Sequence, residues 1–362
     1  MRVYNVEIFD KDFLCVHHDL IDAASLIYRE DYILYGKNSV NIKRADGISE
    51  GYYISISGDE DRFFGVIRTV EDDEGTDMTI SYSPFYSLFD LSILFDTNLQ
   101  GSGQALESVI GNYISAYRVN NADTVQNISA IGTITTTSTT TSWGFNIKPD
   151  KEDQHYCICN FYHSIITTAF SKYGVVIDCV PDMRRKKVDI NIGKVADGRI
   201  ITIETGLKGI LSSSVIAGHL NTEANKLVVY NGDNYSQVRN YYLHPDGSYD
   251  MVNRDRLDPV HYKMEMVDPD DTKTFAQLAD EKAVDILGKA TFDNNISIEM
   301  LPDNPLFTPK QLPFGQQVRI VHNGSSYTSI VSKKEIKETL TLTFGTIRVE
   351  LTNLLKGGYF NG

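Results

Sequence analysis

His155, Cys157, Cys159 and His163 crowd into the nine residues HYCICNFYH, and all four are types that ligate zinc. On a strand, alternation places His155, Cys157 and Cys159 on one face. Cysteines one residue apart do not chelate a tetrahedral ion as pairs with about two to four intervening residues do, and no second pair follows nearby. The expected reading is a half-buried strand whose cysteines belong to the core, so no metal ligand is assigned. SSSVIAGH (212–219) holds Ser and His but lacks the strand–turn–helix setting that exposes a serine nucleophile. DPDDTKTF (268–275) has the acids of a calcium loop without its central glycine and closing glutamate, and reads instead as a helix N-terminus favoured by acidic charge. Asp72, Asp73 and Glu204 fall in hairpin contexts that offer no acid–base pair. RRKK (184–187), the one dense basic run, reads as a solvated turn before a strand, too short to hold nucleic acid tightly. No catalytic, cofactor-binding or metal residue is assigned, and no cofactor is expected.

The elements around these residues are mostly strands. Turn pairs recur between alternating runs at Asp46-Gly47, Asp197-Gly198, Asn231-Gly232, Asp246-Gly247 and Asn323-Gly324. They accept the positive φ angles that tight hairpins need. Helical periodicity is confined to three segments. Residues 102–118 place Leu106, Val109, Ile110 and Tyr113 on one face with Ser102 as the cap; 161–174 ends in glycine; 270–290 aligns Phe275, Leu278, Ala279 and Leu287. The threonine-rich tract GTITTTSTTTSW (132–143) is expected to be a solvent-exposed strand or mobile loop.

A chain of 362 residues exceeds one ordinary core and implies two to four domains. Its 21 tyrosines and 16 phenylalanines against one tryptophan fit a strand-rich protein. Mean hydropathy is -0.23 and no long apolar run exists, so stable membrane insertion is not expected. The N-terminus lacks the pattern of a secretory signal, and four cysteines in such a length make no disulfide framework, so all four are expected reduced. A net charge of -14 argues against a surface devoted to gripping phosphates.

The two ends of the chain echo one another. Aligning Phe64 with Tyr327 brings Ile67 onto Ile330, and then Met78, Ile80 and Tyr82 onto Leu340, Leu342 and Phe344, with a one-residue offset across the connecting turn. Beyond Gly345, Ile347, Val349 and Leu351 alternate again. The echo predicts two topologically similar β-barrels, built around 37–83 and 314–349.

FFGVIRTVEDDEGTDMTISYSPFYSLFD (63–90), NKLVVYNGDN (225–234), LHPDGSYDMVNRDRLDPV (243–260) and FGQQVRIVHNGSSYTSIVSKKEIKETLTLTFGTIRVELTNLL (314–355) together resemble the hub proteins of phage baseplates and tail tips, the tail-associated group similar to the central hub of contractile tails. The likeness is one of hydrophobic pattern and turns and spans nearly the full chain. It implies a mainly β fold with α+β additions: two related antiparallel β-barrels plus smaller α/β domains. The first barrel would be 1–98, a peripheral α+β domain 99–195, the second barrel 196–269 with 292–362, and 270–291 a helical insertion or small fourth domain. It implies a homotrimer whose six related barrels adapt a six-fold tail tube to three-fold tip components and leave a channel for DNA, which passes without specific binding. The partners implied are the tail tube or distal tail protein, the tape-measure protein and tail-tip or receptor-binding proteins. The implied location is the virion tail tip, assembled in the host cytoplasm. Relatives often continue into a lytic module, whereas this sequence stops at KGGYFNG, so no enzymatic activity is expected of it. The rival readings are a peptidoglycan-cleaving tail protein and a carbohydrate-binding tip protein.

Overall fold

The computed structural model describes residues 3–346 except 36–37, 59–61, 72–74, 142, 146, 148–154, 196–198, 218–223, 245–248, 254–261, 271–272, 288–293, 302–310 and 337–338. The alternation beyond Gly345 and the hairpin turns at Asp197-Gly198 and Asp246-Gly247 lie outside the described residues. The first part of the chain forms strands β1 (Val3–Phe9), β2 (Cys15–Asp22), β3 (Leu26–Asp31), β4 (Asn38–Lys43), β5 (Tyr53–Ser57), β6 (Arg62–Glu71) and β7 (Asp77–Pro84). Strands β8 (Ser92–Asp96), β9 (Ile131–Thr136), β10 (Tyr156–Asn160), β11 (Val176–Asp182) and β12 (Lys187–Gly193) interleave with helices α1 (Leu106–Ile114) and α2 (Thr167–Tyr173). There follow β13 (Ile201–Glu204) and β14 (Ile210–Ala217), then β15 (Lys226–Asn231), β16 (Val238–Leu243), β17 (Tyr249–Asp250) and β18 (Tyr262–Val267) with helix α3 (Phe275–Ile286). The last strands are β19 (Asn294–Met300), β20 (Gln317–His322), β21 (Ser325–Ile336) and β22 (Leu340–Phe344).

The mainly β class with several antiparallel sheets is as expected, and the duplication is visible in the pairing. In the first half the hydrogen-bonded path runs β1-β5-β6-β7-β4-β3; in the second it runs β13-β20-β21-β22-β19-β14. Both paths visit their strands in the same chain order. They differ in that β5 pairs antiparallel to β1 whereas β20 pairs parallel to β13, and β2 on the outer edge of β1 has no counterpart.

The ladders fix which residues correspond. Ile67 lies opposite Tyr82 and Val331 opposite Phe344, and each ladder has a bulge directly after that pair. Tyr82 therefore matches Phe344, as the sequence echo has it, but Ile67 matches Val331 and not Ile330. Burial agrees: Val66 and Ile330 face one core, Ile67 and Val331 the other. The slip has a physical cause. Phe63 to Ile67 are buried on both faces of the sheet, so this stretch carries no alternation from which to read register.

Among the described residues neither half is a closed barrel. The segments 37–83 and 314–349 were expected as two separate barrels; instead β3 joins them into one hydrogen-bonded network, and a single apolar core serves both. Val40, Ile54, Ile67 and Ile80 from the first half and Ile298, Val318, Val331 and Leu342 from the second belong to that core, each at most 3% exposed. Burying each such side chain contributes about 1.5–3 kcal/mol.

The opposite face of the first half packs on a second core built by α1, α2 and strands β8 to β12. Leu106, Val109 and Ile110 are buried as their spacing predicts, but Ala105 and not Ser102 occupies the N-cap position, and Ser102 instead donates its hydroxyl to the Leu99 carbonyl at 2.7 Å. The second helix ends at Gly174 in the left-handed conformation at φ +67°, where a β-carbon would be strained. Strands β15 to β18 form a sheet of their own, covered by α3 through Ala279, Ala283 and Leu287. Thr274 caps that helix in a reciprocal capping box with Gln277, and no acidic residue lies in its first turn, so the acidic reading of 268–275 is corrected.

The threonine tract is in large part the exposed strand expected, except at Thr140, which is buried. Its first part is β9, parallel to β12, and its second part closes over Glu107, which α1 turns fully inward. Thr139 and Thr140 each donate a hydroxyl to Glu107 Oε1 at 2.9 Å, and the Thr140 amide donates to Oε2 at 3.2 Å. A buried carboxyl side chain needs such donors, and consecutive threonines supply them. Replacing both Thr139 and Thr140 by valine is expected to lower the unfolding free energy by about 3 kcal/mol, about 1.5 for each bond lost. Thr135→Val, on an exposed site of β9, should stay within about 0.5 kcal/mol in the same urea titration.

Candidate functional site

Among the described residues, the chemistry-bearing side chains singled out in the sequence are not brought into a common site. Cys157 is buried and Cys159 half-buried on the inward face of β10, while Ile158 between them is exposed. Burial, reinforced by the neighbouring Cys157, pushes the Cys159 thiol up to about 11. His155 is exposed; its carbonyl accepts from the Thr97 amide at 2.7 Å. His163 sits beyond the strand in a helical turn, its ring 3.9 Å from Asp90 and its amide donating to Asn160 Oδ1 at 2.8 Å. Among the described residues no group of three or more His, Cys, Asp or Glu side chains is arranged to hold a metal ion. In the basic run, Arg185 is paired with Asp182 at 2.7 Å and with Asp189, and Lys187 donates to the Ser129 carbonyl at 2.5 Å. Of the four basic residues, Arg185 is the one with carboxylate partners at these distances. Ser212 to Ser214 lie on β14, while His219, Asp72 and Asp73 lie outside the described residues.

What the fold does build is a junction between its two halves. Leu26 and Ile27 of β3 pair with Val40 and Ser39 of β4, after which the strand turns its other edge to β21. Tyr28, Arg29, Glu30 and Asp31 then lie opposite Ile336, Glu335, Lys334 and Lys333. The ladder is reinforced by an ion pair between Arg29 Nε and Glu335 Oε1 at 3.0 Å and by burial of Tyr28 and Ile336. Asn38 permits the change of partner. Its side-chain oxygen accepts the Arg29 amide at 2.5 Å, replacing the β4 carbonyl that the departing strand no longer reaches. Asn38 is 1% exposed, so water cannot take over that bond.

Tyr32, the next residue after β3, ties in the peripheral unit. Its amide donates to the Ser332 carbonyl at 2.9 Å, its carbonyl accepts the Tyr162 hydroxyl at 2.5 Å, and its own hydroxyl accepts the Ile177 amide at 2.7 Å. Burial raises the Tyr32 hydroxyl far above the ordinary tyrosine range, so it remains a neutral hydrogen-bonding group. A cleft of about 910 Å³ opens where this junction meets β11 and β12, lined among others by Glu30, Lys334, Asp178 and Lys194. Burial raises the Asp178 carboxyl above its usual range.

No family model matches this sequence, and no curated protein matches it. Solved structures do. A tail protein from Neisseria meningitidis MC58 superposes with a TM-score of 0.53 at 11% identity, covering 95% of this chain and 96% of that one. The 43 kDa tail protein of prophage MuSo2 from Shewanella oneidensis gives 0.52 at 11% identity, with coverage of 96% and 98%. The chain has the fold of phage tail proteins. A prophage tail protein from Listeria monocytogenes EGD-e aligns over 97% of both chains at 10% identity, with a TM-score of 0.47. In this tail-protein fold, the junction of β3, β4 and β21 is what sequence reading missed. A buried asparagine at the start of β4, amid residues that otherwise alternate, was the one signal for it.

Asn38→Ala is expected to leave the Arg29 amide buried without an acceptor and to lower stability by about 1–3 kcal/mol. Urea denaturation checks the amount, and hydrogen exchange at Arg29 checks that the loss is local.

Proposed function

We propose that this chain is a structural hub of a phage or prophage-derived tail tip or baseplate, acting by assembly and not by turnover. The observation that carries the reading is the duplicated strand order within a fold shared with phage tail proteins. One chain with two related halves can meet a six-fold partner as a trimer, because three copies present six similar surfaces around one axis. In this reading residues 1–98 form the first hub unit and 99–195 the peripheral α+β unit. Residues 196–269 with 292–362 form the second hub unit, and 270–291 a helical insertion or small fourth domain.

The trimer would stand between the tail tube or distal tail protein and the three-fold tip or receptor-binding proteins, with the tape-measure protein and then DNA passing along its axis. A chain carrying a net charge of -14 supports a passage that does not hold phosphates, since like charge repels the duplex. Its place would be the virion tail tip, reached after assembly in the host cytoplasm.

Light scattering of the purified 40.7 kDa chain should give the mass of three copies, and micrographs of the chain assembled with its tail partners should put it on the tail axis. A two-fold assembly, or an appendage away from the axis, would sink the reading. Clearing of a peptidoglycan suspension by the pure protein would overturn its non-enzymatic part.

A further inference from the structure

The peripheral α+β unit gathers positive charge at one end. Strands β9 and β12 run parallel, and β11 ends where β12 begins. The loop 118–130 that leads into β9 and the turn 183–186 that leads into β12 therefore lie at the same end of this three-stranded sheet. The bond from the Lys187 ammonium to the Ser129 carbonyl joins them. Together they carry Arg118, Arg184, Arg185, Lys186 and Lys187 against Asp123, Asp182 and Asp189, in a chain whose net charge is -14.

The carboxylates at this end are already engaged. Asp182 and Asp189 both hold Arg185, Asp182 Oδ1 also accepts the amides of Arg184 and Arg185 at 3.0 Å each, and Asp123 Oδ1 accepts the Val125 amide at 3.2 Å. Arg184 and Lys186 are exposed and, among the described residues, have no carboxylate partner. Arg118 is half-buried. Its Nη1 donates to the Gln126 carbonyl at 3.5 Å, its buried Nε has no hydrogen-bond partner among the described residues, and burial holds its guanidinium below the usual range. A guanidinium drawn partly out of water without an anion is costly, and an arriving oxyanion offsets that cost. Val125, the middle residue of the short helical turn Thr124–Gln126 in the same loop, is 90% exposed.

We propose that this end docks on the anionic surface of a phospholipid bilayer, with Arg118, Arg184 and Lys186 meeting headgroup phosphates and Val125 entering the boundary beneath them. A protein partner needs a matched shape and a packed apolar centre over about 800 Å² of each surface, and one valine among cations supplies neither. A DNA duplex would meet the cations but leave Val125 in water. A headgroup layer requires no shape match: each clustered Lys or Arg strengthens binding about fivefold, and the boundary accepts an apolar side chain. The acidic remainder of the chain is repelled by the same surface, which turns this end foremost. Docking of this kind is peripheral, and no helix among the described residues is long and apolar enough to cross a membrane. The inference rests on the charge of one chain and not on the number of copies in the hub.

The test is co-sedimentation of the full chain with vesicles of equal parts phosphatidylglycerol and phosphatidylcholine. The chain should bind at low salt, be released at about 1 M, where the screening length falls to about 3 Å, and leave vesicles of phosphatidylcholine alone. Arg184→Gln with Lys186→Gln should lower the partition constant about 25-fold, while Arg184→Lys with Lys186→Arg should retain it. Both side chains are exposed, so thermal unfolding of each double variant should match that of the parent. Val125→Gln keeps the charge unchanged and should lower partition about fivefold, the effect of partly burying one valine. Absence of binding at low salt, equal binding to neutral vesicles, or full binding by the Arg184→Gln, Lys186→Gln chain overturns the proposal. Displacement from the vesicles by millimolar inorganic phosphate at constant ionic strength, or by polyglutamate with Val125→Gln binding as the parent does, assigns the cations to a soluble anion or an acidic protein segment and overturns the bilayer as their partner.

Discussion

Everything in this structure leans on one short strand being shared. β3 spends its first two residues on β4 and its last four on β21, so the first and second halves of the chain are joined by backbone hydrogen bonds as well as by side-chain packing. A strand can serve two sheets only if the amides it turns away from its first partner are met by something else. Asn38 meets that requirement for Arg29. Because the two halves also bury Ile67 and Val331 in one core, neither can shift against the other without opening a ladder and a core together. The duplicated fold is therefore a single mechanical unit.

The same strand sets where the peripheral unit sits. Tyr32 follows directly from Asp31, and its amide, carbonyl and hydroxyl are bonded to Ser332, Tyr162 and Ile177 in three distant parts of the sequence. Its ring lies 4.5 Å from that of Phe170 and 5.2 Å from that of Tyr86, within the range of favourable aromatic contact. A residue this fully committed has no freedom to reorient. The α+β unit is consequently held by groups that the junction itself positions, and the abundance of tyrosine in the sequence reflects that use: an apolar body for the core with one polar atom to pay into a buried network.

Much of this was legible beforehand, and the limits are informative. Met78, Ile80 and Tyr82 alternate with polar residues because one face of β7 is less buried, and their match to Leu340, Leu342 and Phe344 survives in the ladders. Phe63 to Ile67 are buried on both faces, alternation vanishes, and the alignment slips by one residue. Thr140 looks like a solvent-facing residue until the inward turn of Glu107 is known, and that turn depends on the tertiary placement of α1. Barrel closure was inferred from the echo between the two ends of the chain, which matches strands within each half but not the long-range choice that sends β3 to β21.

The two halves have diverged at the position that decides how far β3 and β14 stay paired. Where the first half has Asn38, whose amide oxygen replaces a carbonyl and lets β3 leave, the second has Ile296, which offers no acceptor. A strand leaving β19 at that point would bury an unpaired amide, so β14 stays in its ladder through Ala217 opposite Asn294. The one irregularity of that ladder is the bulge between Ile210 and Ser212, at the opposite end of the strand from the position where β3 diverges in the first half.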